Sequence, residues 1–361
     1  MSTLNVMLFD VDGVLVEPRA YRISIRRTLE VLLGSNEMLP EESEISYFES
    51  RGVHDVWDIT NIVYALLSIA NGTRPGYKAF ADELAASASR GLITHPPLAA
   101  VELLGGDFPF LHGTRSVYKS HVTKLFQNIL LGPEIFKSTY DLPSEFSGPS
   151  LLRAEDRALL SQASVDQLKA LRAGSDCKIS VYTARPSHPP SCSMGPKTGY
   201  SPEAEVALDM VGMSEFPLVG MGTMEWVAGW YDKKSEDLVK PNTTQAYTAL
   251  LCALQGSLDN DLLSQAYLLG NGNGNPDNTL LAEYKSATLN ITVFEDTVSG
   301  IRPMKAVVER LRDCGHAVNL TCLGIAKDPS KREALQAVCQ SIYEDTNEAV
   351  NAALASRKVH S

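Results

Sequence analysis

The most informative stretch of this chain is LFDVDGVL, residues 8–15. The residues at 5–9 are mostly apolar and predict a short strand that ends directly at two aspartates and a glycine. Residues two positions apart in a strand share one face, so Asp10 and Asp12 can both point at one site where the strand gives way to a loop. The stretch therefore predicts a strand end that carries a pair of carboxylates.

Two carboxylates this close together need a compensating partner. Neighbouring anions are costly unless a cation or a difference in protonation separates them. A hard divalent cation such as Mg²⁺ would resolve that conflict, and a carboxylate oxygen left free could then attack phosphorus. The alternative is an ordinary Asp-x-Asp-Gly turn after a buried strand, and residues 8–15 alone leave both interpretations open.

Three later segments carry polar residues in a related setting. Residues 179–186, ISVYTARP, predict a β-branched strand that ends in a hydroxyl group. Residues 239–241, VKP, place a lysine directly before a proline and ahead of a helical stretch. Residues 291–301, ITVFEDTVSGI, predict a strand that ends in two adjacent acids, followed by a small-residue turn into a helix.

Taken together and in this order, the four segments resemble the four motifs of the haloacid dehalogenase (HAD) superfamily. The local sequences of these motifs are most similar to those of the β-phosphoglucomutase-like branch of that superfamily. The motifs are spread over nearly the whole chain, so the resemblance covers the core of the fold. It implies a doubly wound α/β core with a parallel, Rossmann-like sheet and an inserted α-helical cap of the superfamily's first cap type.

The resemblance implies catalytic roles position by position. Asp10 would be the nucleophile that forms an aspartyl-phosphate, and Asp12 the general acid that protonates the leaving oxygen and then the base that activates water. Thr183 would hydrogen-bond a phosphoryl oxygen, and Lys240 would neutralise Asp10 and the phosphate. These residue types suit phosphoryl transfer, which depends on positioning and charge neutralisation more than on covalent work. Without the other motifs, Thr183 is a strand-end hydroxyl and Lys240 a solvated lysine at a helix start.

A Mg²⁺ site is also implied by the resemblance. Its ligands would be Asp10, the backbone carbonyl of Asp12 and the carboxylate of Asp296. Glu295 would be either a direct ligand or an acid that lies behind the site. The alternative for Glu295 and Asp296 is a pair of acids in the first turn of a helix, where the helix dipole favours negative charge.

Short apolar runs along the chain are separated by long, partly helical segments. That alternation predicts a parallel, doubly wound α/β sheet. Ligands of such sheets bind at the carboxyl ends of the strands. The first, second and fourth motifs fall at such ends, whereas the lysine motif lies in a loop further on. The predicted strands are Asn5–Asp10, Lys178–Thr183, Phe216–Met221, Ile291–Glu295 and Val318–Ile325.

The long segment between the first and second motifs predicts a helical domain. Apolar residues recur there at steps of three and four, which places them in stripes along single helix faces. We expect residues 1–16 and 151–361 to form the α/β core and residues 17–150 to form the helical cap. By resemblance, the cap would close over the site, exclude water and read the leaving group. Two stripes are Tyr21, Ile25, Leu29, Leu32 and Leu33, and Val56, Ile59, Val63, Leu66 and Leu67.

Four basic residues are candidates for substrate binding. Arg22 stands where the mutase branch has a histidine that handles the sugar hydroxyl, and this departure counts against a mutase. Arg51 and His54 lie in a segment with the composition of a substrate-reading loop, although Asp55 can equally be the N-cap of a helix there. Arg185, two residues after the second-motif threonine, would contact a second anionic group or form a surface salt bridge.

Composition limits the classes of function. The chain has 361 residues, 44% of them hydrophobic, and a net charge of −11 without a basic block, which argues against a nucleic-acid surface. No apolar run is long enough to span a bilayer, and the first strand starts too near residue 1 for a signal peptide. The six cysteines show no regular spacing, which is typical of reduced thiols. We expect a cytoplasmic monomer or homodimer without membrane or nucleic-acid partners.

The leading expectation is a Mg²⁺-dependent phosphatase that acts on a small phosphorylated metabolite. A sugar phosphomutase is the first alternative, and a non-enzymatic HAD-fold binding protein is the second. A true dehalogenase is disfavoured, because its chemistry needs no Mg²⁺ and would not require Asp12 or the acidic pair at 295–296. Residues 187–202 are expected to form a loop beside the pocket, and residues 270–276 a flexible surface loop without function.

Overall fold

The computed structural model describes residues 2–89, 95–174, 177–195 and 197–360. The chain divides into two compact units. An α/β unit comprises Met1–Pro18 and Asp156–Ser361, and a helical unit comprises Arg19–Glu155. The sequence predicts that the chain passes from one unit to the other after residues 16 and 150, whereas in the structure it does so after residues 18 and 155. Each unit has its own set of buried apolar side chains.

The α/β unit contains a parallel sheet, which confirms the predicted fold class. In chain order, the strands of the described residues are β1 (Thr3–Phe9), β2 (Val16–Glu17), β3 (Arg157–Ala158), β4 (Cys177–Tyr182), β5 (Leu218–Val219), β6 (Thr288–Glu295), β7 (Ala317–Ile325) and β8 (Ser341–Tyr343). Six of these form one sheet in the order β5-β4-β1-β6-β7-β8, with every neighbouring pair parallel. The remaining two, β2 and β3, pair as a short antiparallel ribbon.

Helices make up the helical unit and cover the sheet of the α/β unit. In the described residues, α1 to α7 belong to the helical unit and α8 to α15 to the α/β unit. They are α1 (Ala20–Leu33), α2 (Glu42–Ser50), α3 (Val56–Ser68), α4 (Tyr77–Ser89), α5 (Pro96–Leu104), α6 (His121–Tyr140), α7 (Leu151–Glu155), α8 (Gln162–Ala173), α9 (Glu203–Val211), α10 (Met221–Trp230), α11 (Thr243–Gln255), α12 (Asn260–Gly270), α13 (Val298–Asp313), α14 (Pro329–Gln336) and α15 (Thr346–His360).

Side chains of the central strand β1 alternate between the two faces of the sheet, as the strand period of two requires. Val6 and Leu8 are buried on one face, in a cluster with residues of α11, α12 and α13. Met7 and Phe9 are buried on the other face, in a cluster with residues of α8, α9 and α15. Helices therefore cover both faces, which explains why β1 is a continuous apolar run rather than an alternating one.

The sheet differs from the prediction in two places. The predicted strand Phe216–Met221 is wrong in length: only Leu218–Val219 is a strand, because α10 begins at Met221 directly after Gly220. The edge strand Ser341–Tyr343 was not predicted, since three residues that are exposed or half-buried give no apolar run. The other four predicted strands are present within a few residues of their predicted limits.

The helical unit contains both predicted stripes as helices. The first stripe lies on α1, where Ile25 and Leu29 are buried. The second lies on α3, where Ile59 and Val63 are buried. The interior that these helices enclose is partly polar, since residues such as Asp58 are buried among the apolar ones.

The glycine- and asparagine-rich loop at 270–276 is tied to a helix. Arg310 of α13 donates hydrogen bonds to the backbone carbonyl oxygens of Leu269 (3.1 Å), Gly272 (3.2 Å) and Gly274 (2.5 Å). The loop is largely exposed, as expected, and these contacts connect its backbone to α13; its flexibility stays a prediction. Residues without bulky side chains leave their carbonyl groups accessible, and a guanidinium group can bind several of them at once.

Membrane and disulfide features are limited in the described part of the chain. No helix there combines the length and the apolar character needed to cross a bilayer. All six cysteines lie in the described ranges and are free thiols. Cys177, Cys252 and Cys322 are buried, where a thiol packs as a small apolar side chain.

Candidate active site

Three neighbouring strands bring the polar motifs together at one edge of the sheet. Asp10 follows β1, Thr183 follows β4, and Glu295 ends β6 with Asp296 directly after it. β1 pairs with β4 on one side and with β6 on the other, so the carboxyl ends of these three strands are adjacent. This is the edge at which open parallel sheets place their ligands.

Asp10, Glu295 and Asp296 form a buried cluster of carboxylates. One oxygen from each lies within 4.8 Å of those of the other two. Their exposed fractions are 6%, 0% and 8%. Three acids this close repel one another unless positive charge lies among them. Carboxylate oxygens are the ligands that Mg²⁺ prefers, so the donor set fits a hard divalent cation.

The buried environment changes the acidity of the cluster. Burial, with the neighbouring Glu295, raises the pKa of Asp10 to about 7, although Lys240 opposes the shift. Burial and the nearby Asp10 likewise raise the pKa of Asp296 to about 6. Additional positive charge at this site would favour the ionised form of Asp10.

Lys240 places positive charge inside the cluster. Its Nζ lies 2.8 Å from Oδ1 of Asp10 and also donates a hydrogen bond to Glu295. The same atom lies 4.3 Å from the centre of the Tyr182 ring. Burial alone would lower the pKa of Lys240, but the two carboxylates outweigh that effect and the pKa is raised, so the lysine stays charged.

Gln245 connects the loop of Lys240 to the end of β4, and no sequence pattern marks it. Its Oε1 accepts a hydrogen bond from the backbone N–H of Lys240 at 3.1 Å. Its Nε2 donates to the carbonyl oxygen of Thr183 at 2.8 Å. Gln245 is fully buried, and a buried amide with both ends bonded fixes the backbone on either side of it.

Thr183 is buried at the end of β4. Its hydroxyl oxygen accepts a hydrogen bond from the backbone N–H of Arg185 at 3.1 Å. Its own N–H donates to the carbonyl oxygen of Val219 at 2.9 Å. An accepted hydrogen bond leaves the proton of the hydroxyl group for a different oxygen, such as one of a phosphoryl group.

Glu295 is the most enclosed acid of the cluster. Its Oε2 accepts hydrogen bonds from the backbone N–H groups of Asp296 (3.1 Å) and Thr297 (3.3 Å) and from the Thr297 hydroxyl (3.2 Å). Its Oε1 accepts from Lys240. A Cβ atom at Gly300 would lie 1.7 Å from that oxygen, so only glycine fits there. With both oxygens engaged, the geometry favours Glu295 as an acid behind the site rather than a direct metal ligand.

Arg185 lies between two carboxylates of the α/β unit. Its Nε donates to Oδ1 of Asp12 at 2.9 Å, and its Nη2 donates to the same oxygen at 2.6 Å and to Oδ2 of Asp156 at 2.9 Å. The side chain of Arg185 is 2% exposed. The expected salt bridge is present, but only its Asp12 side reaches the surface, with 35% of that side chain exposed, whereas the Arg185 side is buried. The Asp12 side chain binds Arg185 and is not one of the three clustered carboxylates.

A second lysine contacts the cluster and was missed by sequence reasoning. Nζ of Lys331, on α14, lies 2.5 Å from Oδ2 of Asp296. Its side chain is 53% exposed. Burial lowers the pKa of Lys331, but the carboxylate of Asp296 outweighs that effect and the pKa is raised. Lys331 and Asp296 line a cavity of about 290 Å³ in the α/β unit, together with residues that include Gly13 and Asp328.

Arg22 and Arg51 each form ion pairs inside the helical unit. Nη2 of Arg22 donates to Glu49 at 2.5 Å. Nε of Arg51 donates to Asp82 at 2.6 Å. The side chain of Arg51 is the more exposed of the two, at 40% against 24% for Arg22. Their roles in substrate binding stay predictions.

Asp55 is the N-cap of α3, which confirms that interpretation of the segment. Its Oδ1 accepts hydrogen bonds from the backbone N–H groups of Trp57 (2.8 Å) and Asp58 (3.2 Å). Capping satisfies N–H groups that have no partner within the helix, so it explains Asp55 without reference to a substrate. His54, the residue before it, is exposed, and its predicted contact with a substrate stays a prediction.

Comparisons with known proteins give fold information only. No family model and no curated protein matches the chain. A protein whose X-ray structure comes from the Northeast Structural Genomics Consortium is 14% identical over 100% of both chains, with a TM-score of 0.61. This similarity shows that the two chains share a fold.

Two further solved structures are more distant. A hydrolase from Pseudomonas syringae is 12% identical over 98% of this chain and 97% of its own, with a TM-score of 0.35. YfnB from Bacillus subtilis, named as a HAD-hydrolase bound to magnesium, is 10% identical over 97% of this chain and 99% of its own, with a TM-score of 0.35. At these TM-scores neither structure supports an argument about this chain.

Proposed function

We propose that this protein is a Mg²⁺-dependent phosphatase of the HAD type, which hydrolyses a small phosphomonoester through an aspartyl-phosphate on Asp10. The observation that supports this most directly is the buried cluster of Asp10, Glu295 and Asp296, with Lys240 bonded to two of them. A purely structural ion pair does not need three carboxylates whose oxygens lie within 4.8 Å of one another. Such an excess of buried acid suits a site that also takes a divalent cation.

Asp10 begins the reaction as the nucleophile. One of its oxygens forms a bond to phosphorus while the bond from phosphorus to the ester oxygen breaks. Asp12 gives a proton to the departing oxygen, so the product leaves as an alcohol. The backbone N–H of Asp10 donates to the carbonyl oxygen of Phe294 at 3.0 Å, which fixes the nucleophile against the neighbouring strand.

Water completes the cycle. Its oxygen bonds to phosphorus, its proton passes to Asp12, and the bond from phosphorus to Asp10 breaks to release inorganic phosphate. Lys240 compensates the charge of Asp10 and of the phosphoryl group throughout. The hydroxyl of Thr183 donates to a phosphoryl oxygen, which is the kind of fixed donor that stabilises developing charge.

A Mg²⁺ ion at the cluster would neutralise phosphoryl oxygens and carboxylates together. We assign to it the carboxylates of Asp10 and Asp296 and the backbone carbonyl of Asp12. Glu295 in this assignment holds Lys240 in place, because its oxygens are already engaged with protein donors. Positive charge at the site also favours the ionised form of Asp10, whose pKa burial raises.

Substrate choice is assigned to the helical unit as part of the same proposal. Arg22, Arg51 and His54 would bind the part of the ester that is not transferred. Arginine suits anionic or polyhydroxyl groups, and therefore a small phosphorylated metabolite. The mutase alternative is weaker, since Arg22 replaces the expected histidine.

Release of inorganic phosphate from a panel of phosphorylated metabolites, with and without Mg²⁺, tests the proposal. We expect at least one ester to be hydrolysed in a reaction that EDTA abolishes and Mg²⁺ restores. Asp10→Asn should lower turnover by about a thousandfold or more while the fold is retained, because it removes the nucleophile but keeps its shape. Asp166→Asn, at an exposed position of α8, is the matched control and should leave turnover unchanged.

Two outcomes would contradict the proposal. Turnover of Asp10→Asn near the wild-type rate, with deamidation excluded by mass spectrometry, would rule out the aspartyl-phosphate. Isomerisation of a sugar phosphate without net release of phosphate would indicate a mutase. Trapping with BeF₃⁻ gives an independent measurement, since the fluoride signals of a phosphoryl mimic on Asp10 should appear only with Mg²⁺.

A further inference from the structure

A buried arginine joins three segments of the α/β unit that are distant in sequence. Arg185 follows β4, Asp12 follows β1, and Asp156 stands directly before β3, where the chain re-enters the α/β unit. The side chains of Arg185 and Asp156 are 2% and 1% exposed, whereas that of Asp12 is 35% exposed. The arginine therefore presents a buried charge to two carboxylates, of which only that of Asp12 reaches the surface.

The geometry of the contact with Asp12 fixes more than its distance. Nη2 of Arg185 donates to Oδ1 of Asp12 at 2.6 Å, and Nε donates to Oδ2 at 3.1 Å as well as to Oδ1 at 2.9 Å, so both carboxylate oxygens are engaged. Two parallel N–H donors on a planar carboxylate define its orientation as well as its position. A lysine could supply the charge but not the fork.

Asp156 fixes the arginine in turn. It accepts a hydrogen bond from Nη2 of Arg185 at 2.9 Å. Burying an arginine and an aspartate is costly, and a well-packed apolar pair often stabilises a protein as well or better. A contribution to stability therefore explains this buried ion pair poorly. A role in orienting the carboxylate of Asp12 explains it better.

We propose that Arg185 is a positioning residue for the acid–base group of the reaction: it holds the carboxylate of Asp12 in one orientation, and Asp156 anchors it. This inference rests on the proposed phosphatase function. It adds to that function a pair of residues that take no part in the bonding changes themselves and act through Asp12.

The chemistry of the first step gives a specific consequence. As the oxygen of Asp10 bonds to phosphorus and the ester bond breaks, an alkoxide product needs the proton of Asp12. A p-nitrophenolate product is a weak base and leaves without it. A residue that acts only through Asp12 should therefore matter for alkyl esters and not for the aryl ester.

The test compares kcat/KM for p-nitrophenyl phosphate with kcat/KM for an alkyl phosphate that the wild type hydrolyses. The value of kcat/KM depends on the steps up to and including release of the first product, which here is the leaving alcohol. It therefore reports on departure of the leaving group. For Arg185→Met we expect a loss of about a hundredfold on the alkyl ester, the scale of general acid catalysis, and little loss on the aryl ester. Arg185→Lys should fall between wild type and Arg185→Met.

A double-variant comparison separates action through Asp12 from action elsewhere. Asp12→Asn alone should show the same selective loss on the alkyl ester. Adding Arg185→Met to Asp12→Asn should then change neither ester further, because the group to be positioned is already gone. Additive losses would mean that Arg185 acts by another route and would overturn the inference.

Folding is controlled by two further variants. Arg185→Met leaves Asp156 buried without its partner, which can destabilise the protein severely. Arg185→Met combined with Asp156→Asn removes both charges and is measured alongside, with circular dichroism and thermal unfolding as checks of the fold. Arg310→Met removes an arginine with three backbone contacts outside the site. It should leave unchanged the ratio of kcat/KM for the alkyl ester to kcat/KM for the aryl ester.

The possible failures are distinguishable. Suppose that the wild type is active and depends on Asp10, but that kcat/KM of the folded Arg185 variants falls by the same factor for both esters. The positioning role is then wrong and the phosphatase proposal stands. If the wild type shows no Asp10-dependent hydrolysis of either ester, both are wrong. The inference is supported if Arg185→Met lowers kcat/KM for the alkyl ester alone, and if the same substitution has no such effect in the Asp12→Asn variant.

Discussion

The backbone of Gly13 lies directly against the carboxylate of Asp296. A Cβ atom at position 13 would stand 2.5 Å from Oδ2 of Asp296, closer than atoms can approach. The φ angle of Gly13 is +75°, in the left-handed region that favours glycine. The first and fourth motifs thus meet without a side chain between them, so the glycine of LFDVDGVL is needed both for its conformation and for its size.

Gly13→Ala should therefore disturb the proposed metal site as well as the fold. The added methyl group must displace Asp296, and we expect weaker Mg²⁺ binding, measured by isothermal titration calorimetry, together with lower thermal stability. Gly34→Ala is the matched control, because its φ is +67° but no atom lies within 4 Å of the added Cβ. That control should lose about 1 kcal/mol of stability from backbone strain and bind Mg²⁺ normally. Equal Mg²⁺ affinity in both variants would contradict the assignment of Asp296 as a ligand.

Lys331→Met should have opposite effects with and without metal. Lys331 gives Asp296 a positive neighbour at 2.5 Å, so its removal leaves the carboxylate cluster less compensated. We expect a lower melting temperature in EDTA and a Mg²⁺ affinity higher by about two- to fivefold, the scale of a partly exposed ion pair. The measurement is thermal unfolding over a Mg²⁺ titration.

Lys327→Met is the control for that experiment. Lys327 lines the same cavity, but its side chain is exposed. It should shift neither the melting temperature in EDTA nor the Mg²⁺ affinity by a comparable amount. If Lys331→Met and Lys327→Met behave alike, the contact of Lys331 with Asp296 has no bearing on the metal.

Arg51→Ala and Lys240→Ala should differ in their dependence on substrate. If Arg51 binds the part of the ester that is not transferred, its removal should lower kcat/KM for the preferred metabolite by about ten- to a hundredfold, the scale of a charged hydrogen bond. Turnover of p-nitrophenyl phosphate, which lacks that part, should barely change. Lys240→Ala should lower both rates strongly, because in the proposed mechanism Lys240 acts on the phosphoryl group common to both esters.

Arg74→Ala serves as the control in the helical unit. Arg74 is also a half-exposed arginine and forms an ion pair with Glu44. It has no proposed role in substrate binding. It should leave both rates near those of the wild type. Equal losses on both esters for Arg51→Ala would show that its contact with Asp82 serves the fold of the helical unit instead.

Glu205→Gln should change how stability depends on pH. Burial raises the pKa of Glu205 from 4.5 to about 7, although the backbone N–H of His188 donates to it at 2.9 Å. An acid with a higher pKa in the folded than in the unfolded protein takes up a proton on folding. Its contribution therefore favours folding below pH 4.5 and is lost as the pH rises through about 7.

Urea unfolding of wild type and Glu205→Gln at pH 5 and pH 8 checks this sign. The variant should gain stability relative to the wild type on going from pH 5 to pH 8, because glutamine carries no charge at either pH. Glu283→Gln, at an exposed position, should show no such difference. A relative gain at the lower pH would show that the ionised form of Glu205 is the one the fold favours.

Local patterns in the sequence predicted four of the six strands of the sheet within a few residues, and the meeting of their carboxyl ends. An apolar run followed by acids marks both β1 and β6, and in a parallel sheet neighbouring strand ends meet. Asp10 and Asp296 accordingly lie in one cluster. The limits of β5 were not predictable from its apolar run, because Gly220 and the helix behind it end the strand early.

The partners of the site residues could not be predicted in the same way. Asp156, Gln245 and Lys331 stand in stretches without a motif, and each reaches the site because of how distant segments pack. Asp156 binds an arginine 29 residues away, and Lys331 binds an acid 35 residues away. Spacings of this size follow no helix or strand period, so only the tertiary structure reveals the contacts.

The position of β1 has a consequence for synthesis of the chain. β1 lies between β4 and β6, yet it emerges from the ribosome before both, and the whole helical unit follows it before β4 is made. The helical unit is contiguous in sequence, so its residues are all available before β1 has any neighbour. A nascent chain that stops before residue 288 keeps one edge of its central strand open, and such an edge can pair with other chains. The ends of β1 and β6 therefore meet only late in translation.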